Sequence, residues 1–224
     1  PGRGRPLLSA STTAGGETVC VSIYYIDRRR RKVERMNQAD ERDAVSRQAL
    51  IHHLRTHSLR TDGPFTLRSG AVSSWYLDAR HTTYDGQGAI LAGTAILKVL
   101  DSTVRAIGGM TMGADPLAIA TALLAAQTGR DLRAFSVRKE AKDHGTGGRL
   151  VGPIKAGDPV AICDDTVTTG GAIFETLDVV AEAGFTARQV VVLVDRSGGS
   201  LEQACRERNL SYAAILRPVD LGVE

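Results

Sequence analysis

The chain has 224 residues, 42% of them hydrophobic and 24% charged, enough for one domain with a real core and a short extension. No apolar run approaches the roughly eighteen residues of a membrane span, so no membrane segment is expected. The net charge of +3 resides in residues 1–35, which hold eight basic and three acidic residues, whereas 36–224 hold 20 basic and 22 acidic, so no nucleic-acid partner is expected.

Residues 1–35, opening on "PGRGRPLLSASTTAGG", are rich in Gly, Ser, Thr and Arg and lack periodicity. They read as a disordered basic extension. An Arg- and Ser-rich, acid-poor start also fits an organellar transit peptide or an arm for an acidic partner. Met36 is the first methionine, and a helix over 38–58 follows, with Ala44, Leu50, Ile51 and Leu54 on its apolar side. The domain is therefore expected to span 36–224. Cys20, Cys163 and Cys205 are far apart and lack a CxxC spacing. That speaks against a zinc site or disulfide framework and for a reducing, cytoplasmic setting.

"FTLRSGAVSSWYLDAR" (65–80) predicts two short strands around a Ser69–Gly70 turn. The pattern then alternates: helix 86–100, strand 104–109, helix 115–128, strand 132–137, a polar loop 139–149 and a short strand 150–154. Strand 159–164, helix 171–183, strand 189–195, helix 200–208 and strand 211–216 complete it. Such alternation implies βαβ units and an α/β fold, with a parallel sheet covered by helices on both faces. The apolar runs "VAIC" and "VVVLV" are the expected central strands. Ligands of such sheets bind beyond the C-terminal strand ends, so those ends carry the functional signal.

After "VAIC" come Asp164, Asp165, Thr166, Val167, Thr168, Thr169, Gly170, Gly171 and Ala172. A glycine turn that opens a helix aims several backbone N–H groups into one space at the positive end of the helix dipole, which is a phosphate cradle. The lysine of a nucleotide-triphosphatase loop is missing. Two adjacent carboxylates do not suit a phosphate, but they suit sugar hydroxyls or a Mg²⁺ ion held through its waters. The loop thus offers acceptors for a ribose beside donors for its phosphate.

This string resembles the phosphoribosyl diphosphate (PRPP) motif of type I phosphoribosyltransferases. Gly108–Pro116 ("GGMTMGADP") is similar to the family's pyrophosphate loop, with Thr111 in it, although several relatives place a lysine where Met112 stands. "RKEAKDHGTGG" (138–148) resembles, almost residue for residue, the catalytic flexible loop of orotate phosphoribosyltransferases. "LRSGAVSSWYLDAR" (67–80) resembles their base-binding N-terminal segment, with Arg68 for the usual lysine, and "VDRSGG" (194–199) places Arg196 at their substrate-carboxylate position.

The resemblance covers about residues 40–224. It implies a type I phosphoribosyltransferase-like fold, a central mostly parallel sheet flanked by helices, with a small N-terminal hood of short strands near 60–80. It implies transfer of phosphoribose from PRPP to orotate in pyrimidine (UMP) synthesis, with Lys139, Lys142, His144 and Asp165 catalytic. Arg138, Lys139, Lys142 and His144 would hold the pyrophosphate, Asp164 and Asp165 the ribose, and Thr166 to Ala172 the 5′-phosphate. Arg68, Tyr76, Leu77, Thr168 and Arg196 would hold orotate. Mg²⁺ would be held mainly through PRPP and waters, near Asp164 and Asp165. The flexible loop implies a homodimer with shared active sites. Transfer to another base, or a PRPP-sensing regulator without catalysis, are the alternative readings.

Overall fold

The computed structural model describes the backbone of residues 28–66, 70, 72–140 and 148–224, and side chains from Asp43 onward. The chain divides into two units, 1–42 and 43–224. Helix α1 (Arg28–His57) begins earlier than the expected position 38 and runs through Met36 without a break, so the expected extension is helical from Arg28 to residue 35. Residues 1–27, which carry the rest of that expectation, lie outside the described residues. The later turns of α1 bury Leu50, Ile51 and Leu54, as their spacing predicts.

Two small antiparallel ladders follow. Strand β1 (Leu59–Arg60) pairs with β4 (Tyr76–Leu77), and β2 (Phe65–Thr66) pairs with β3 (Val72–Ser73). The hairpin β2–β3 corresponds to one predicted in 65–80, but β1 had no periodic signal because it is two residues long. A short helix α2 (Arg80–Thr83) leads into α3 (Gly86–Val99). Asp85 caps α3, its carboxylate accepting from the N–H groups of Gln87 and Gly88 at 2.9 Å each.

The main sheet has six strands in the order β10-β9-β8-β5-β6-β7. They are β5 (Ala106–Met110), β6 (Arg133–Val137), β7 (Leu150–Val151), β8 (Pro159–Val167), β9 (Thr186–Asp195) and β10 (Ser211–Leu216). All neighbours are parallel except the edge pair β6–β7. Strands β8 and β9 are buried on both faces from Val160 to Asp165 and from Gln189 to Asp195, which is why they read as continuous apolar runs. Successive residues alternate between two cores. Leu54, Ile96, Leu117 and Leu193 belong to one, with residues of α1, α3 and α4 (Ala114–Gln127). Ile162, Ile173, Val192 and Leu201 belong to the other, with residues of α5 (Gly171–Glu182) and α6 (Ser200–Glu207).

Strand β5 is flanked by β6 on one side and β8 on the other. The winding direction of the sheet therefore reverses between β5 and β8, and the crevice beyond their C-terminal ends is where such sheets bind ligands. Among the described residues, no helix is long and apolar enough to cross a membrane.

Candidate active site

Asp164 and Asp165 lie inside β8, which continues to Val167 instead of ending at Asp164 as its sequence predicts. Both side chains are buried. The Asp165 N–H donates to Oδ1 of Asp164 at 3.0 Å, and the Thr166 N–H donates to Oδ1 of Asp165 at 2.7 Å. Burial first, and then the charge of Asp165, push the Asp164 carboxyl up to about 7. Asp165 is also raised by burial, against the Thr166 N–H bond and the nearby Arg80, which favour its charged form. This pair holds destabilised negative charge and has room to gain from any cation or hydroxyl donor that reaches it.

The turn after β5 closes on the same pair. A Cβ added to Gly113 would lie 2.7 Å from Oδ1 of Asp165 and 2.9 Å from Oδ1 of Asp164, so only glycine lets this backbone come so near. Gly109 is tighter still, since its Cβ would lie 2.1 Å from the Cys163 carbonyl oxygen in the neighbouring strand. Thr111 is half-buried, its N–H donating to the Val137 carbonyl at 2.9 Å. Met112 is exposed and offers no charge, and its carbonyl accepts from the Tyr84 hydroxyl at 3.3 Å. Asp115, in the first turn of α4, accepts from the Ser136 hydroxyl at 2.6 Å.

Beyond β8, Thr168 and Thr169 are exposed and Gly170 adopts a left-handed φ of 81° just before α5. A residue with a Cβ would be strained there. The turn hands the chain to a helix whose first N–H groups have no partner inside it. Thr166 and Val167 still belong to β8, so the expected turn begins only at Thr168, and Gly171 and Ala172 open α5.

Arg196 sits at the end of β9, its N–H donating to the Val167 carbonyl at 2.8 Å, next to the threonine turn. Burial lowers the pKa of its guanidinium from the usual arginine range, and the nearby Tyr76 counteracts this. Tyr76 is partly exposed, with its ring centroid 5.9 Å from that of Phe65. Leu77, expected beside it on a pyrimidine, is instead buried in the hydrophobic core, because adjacent residues of a strand face opposite sides.

Arg138 is half-buried and its N–H donates to the Arg149 carbonyl at 2.8 Å, closing the base of the predicted loop, while Lys139 is exposed. Lys142 and His144, in that loop, and Arg68, in the hood, lie outside the described residues.

Three neighbours of the site gave no signal of their own in the sequence. Arg80 makes a two-pronged pair with Asp78, at 2.8 Å and 2.7 Å, and its charge reaches Asp165. Arg149 donates to the Arg138 carbonyl at 2.7 Å, pairs with Glu175 of α5 and touches Sδ of Met110. Trp75 lies under Arg196. Their spacing in sequence is arbitrary, and only the fold brings them together.

No family model matches the chain. An orotate phosphoribosyltransferase of Rhodopirellula baltica is 35% identical over 182 residues, covering 78% of this chain and 93% of that protein. This chain belongs to the orotate phosphoribosyltransferase family. The fold agrees: an orotate phosphoribosyltransferase of Mycobacterium tuberculosis, solved with Fe(III) dicitrate, superposes with a TM-score of 0.69 at 32% identity, covering 80% of this chain and 99% of that one. The Mycobacterium tuberculosis orotate phosphoribosyltransferase in complex with PRPP gives a TM-score of 0.65 at 30% identity, with the same coverage. The type I phosphoribosyltransferase fold expected from the strand-end motifs is therefore the fold of this chain.

Proposed function

We propose that this chain transfers the phosphoribosyl group of PRPP to orotate, forming orotidine 5′-monophosphate and pyrophosphate in pyrimidine synthesis. The observation that carries this reading is the buried acid pair at the β5/β8 reversal, with a glycine-cradled turn on each side of it. The bond from C1 of the ribose to the pyrophosphate oxygen breaks, and orotate N1 gives up its proton to the departing pyrophosphate and forms a bond to C1. Positive charge develops on the sugar ring as the first bond lengthens. Asp164 and Asp165 accept from the ribose hydroxyls and stabilise that charge in a water-poor setting. The turn from Thr166 to Ala172 holds the 5′-phosphate, which fixes C1 relative to the acid pair. Arg138, Lys139, Lys142 and His144 take up the charge of the departing pyrophosphate, aided by the turn containing Thr111. Arg196, with Arg68, Tyr76 and Thr168, orients orotate, since a planar guanidinium suits its carboxylate.

Two buried carboxylates fit a Mg²⁺ ion that keeps most of its waters and uses substrate phosphates, and no group of three or more metal-binding side chains occurs among the described residues. Mg²⁺ bound with PRPP would offset pyrophosphate charge. A homodimer is supported by exposed apolar side chains on adjoining helices, Ile90 on α3 and Ile119 and Leu123 on α4. A cytoplasmic setting is supported by the buried thiols of Cys163 and Cys205, both free.

A base panel tests the reading. With PRPP and Mg²⁺, orotate is consumed while uracil, adenine and hypoxanthine are not. Consumption of a purine or uracil with orotate untouched would move the chain to another base. Lys142→Ala is expected to lower turnover at least about tenfold, the effect of losing about 1.4 kcal/mol of transition-state stabilisation. Steady-state turnover at saturating substrates checks this, and a wild-type value would remove Lys142 from the mechanism.

A further inference from the structure

Arg196 is a half-buried cation whose guanidinium has no hydrogen-bond acceptor or ion-pair partner among the described residues. Its donors are thus uncommitted, yet a long side chain without partners samples many rotamers. Something must hold it. The guanidinium carbon lies 4.2 Å from the ring centroid of Trp75, a cation–π stack that covers one face and leaves the donor edges open.

Trp75 is itself fixed from three directions. It is 6% exposed, in the hydrophobic core. Its indole Nε1–H donates to the main-chain oxygen of Glu224 at 2.6 Å, which sets the ring's rotation. Its backbone is held by Ser73, whose hydroxyl donates to the Trp75 carbonyl at 2.7 Å. The indole is therefore a rigid platform tied to a segment 149 residues away in the chain.

We propose that Trp75 is a positioning residue for Arg196, holding the guanidinium flat so that its donor edge meets the carboxylate of the acceptor base. The proposal rests on Arg196 as the carboxylate receptor. Trp75 acts through Arg196 and touches neither PRPP nor the reacting atoms. It therefore controls the affinity for the base and leaves PRPP affinity alone. A planar aromatic ring with a fixed orientation is required, and a flexible aliphatic side chain does not replace it.

Steady-state kinetics of full-length Trp75→Leu, Trp75→Phe, Arg196→Ala and the double variant Trp75→Leu/Arg196→Ala test this. Trp75→Leu is expected to raise KM for orotate about five- to tenfold, the scale of a half-buried cation–π contact, with KM for PRPP changed less than about twofold. Trp75→Phe, which keeps a ring face, raises it less. The double variant is no worse than Arg196→Ala alone, because the indole acts only through the arginine. Equal rises in both KM values, or additive losses in the double variant, would overturn the proposal. An unchanged orotate KM in Arg196→Ala would instead overturn the assignment of Arg196 itself. Trp75 is the chain's one tryptophan, so its fluorescence gives a readout on a protein that keeps the indole. Removing the stacked cation in Arg196→Ala is expected to change the emission intensity, and an identical spectrum would overturn the stack even if Trp75→Leu does not fold.

Discussion

Asparagine at both Asp164 and Asp165 is expected to lower kcat/KM at least about a hundredfold while making the ligand-free protein more stable at pH 8. The loss follows from removing negative charge opposite the cationic sugar, since a preorganised electrostatic contact of this kind contributes about 3–4 kcal/mol to a transition state. The gain in stability follows from the same burial. Asp164 titrates near 7 in the folded chain, against 3.8 for the free carboxyl, because burial and then Asp165 disfavour its charge. Between those two pH values the folded state holds a proton that the unfolded state has released. Stability from this group is therefore full below the unfolded pKa and is lost as pH rises through about 7. The size is on the order of 2–4 kcal/mol. Asp165 is shifted in the same direction, by burial, and adds to the trend. Urea denaturation in EDTA at pH 5 and pH 8 checks it: the wild type weakens relative to the double variant as pH rises. Parallel stability curves would show that the buried pair is not strained in the way its surroundings imply.

Alanine at Gly109 and at Gly113 is expected to separate folding from function. At Gly109 the new methyl would meet the Cys163 carbonyl at 2.1 Å and Cβ of Ala114 at 2.7 Å. Neither obstacle is a mobile side chain, so the β5–β8 pairing must open, at a cost of about 3 kcal/mol or more. Gly109→Ala should therefore be recovered poorly or melt far below the wild type. At Gly113 the nearest obstacles to the methyl are the two carboxylates of the acid pair, Oδ1 of Asp165 at 2.7 Å, Oδ1 of Asp164 at 2.9 Å and Cγ of Asp165 at 3.0 Å. Those can rotate, so the fold survives. The carboxylates can no longer occupy the positions that receive the ribose, and a misplacement of about 1 Å in such a site lowers rate about a hundredfold. Thermal melts and PRPP kinetics on the two variants decide the matter. Wild-type kinetics in Gly113→Ala would mean that the turn after β5 does not define the PRPP site.

The parallel sheet was legible because β8 and β9 are long, apolar and separated by a helix of regular spacing, and burial on both faces demands that composition. The acid pair and the glycine turn after it were legible for a related reason: two charges and two glycines beside a buried strand contradict local propensity, and a bound ligand would resolve the contradiction. The hood was less so. Strand β1 contributes two residues to its ladder, too few for any alternation, and its pairing with Tyr76 and Leu77 is set by tertiary contacts. Leu77 was placed on the base by resemblance, and the ladder turned it into the core. Trp75 carries no signal in its own segment, where the resemblance concerns Arg68, Tyr76 and Leu77. What distinguishes it is Arg196, 121 residues away, and no local period encodes that distance. Helix α1 starts before the expected position 38 because "RRRRKVER" is made largely of good helix formers.

In the proposed reaction the acid pair and the turns around it break the bond from ribose to pyrophosphate only to pass the sugar to orotate. Phosphorus-31 NMR of the full chain with PRPP and Mg²⁺ tests it most directly. With orotate present, the PRPP signals are expected to give way to free pyrophosphate and one new phosphomonoester in equal amounts, and without orotate they should persist. PRPP left intact in the presence of orotate, or pyrophosphate released equally fast without it, would contradict the account.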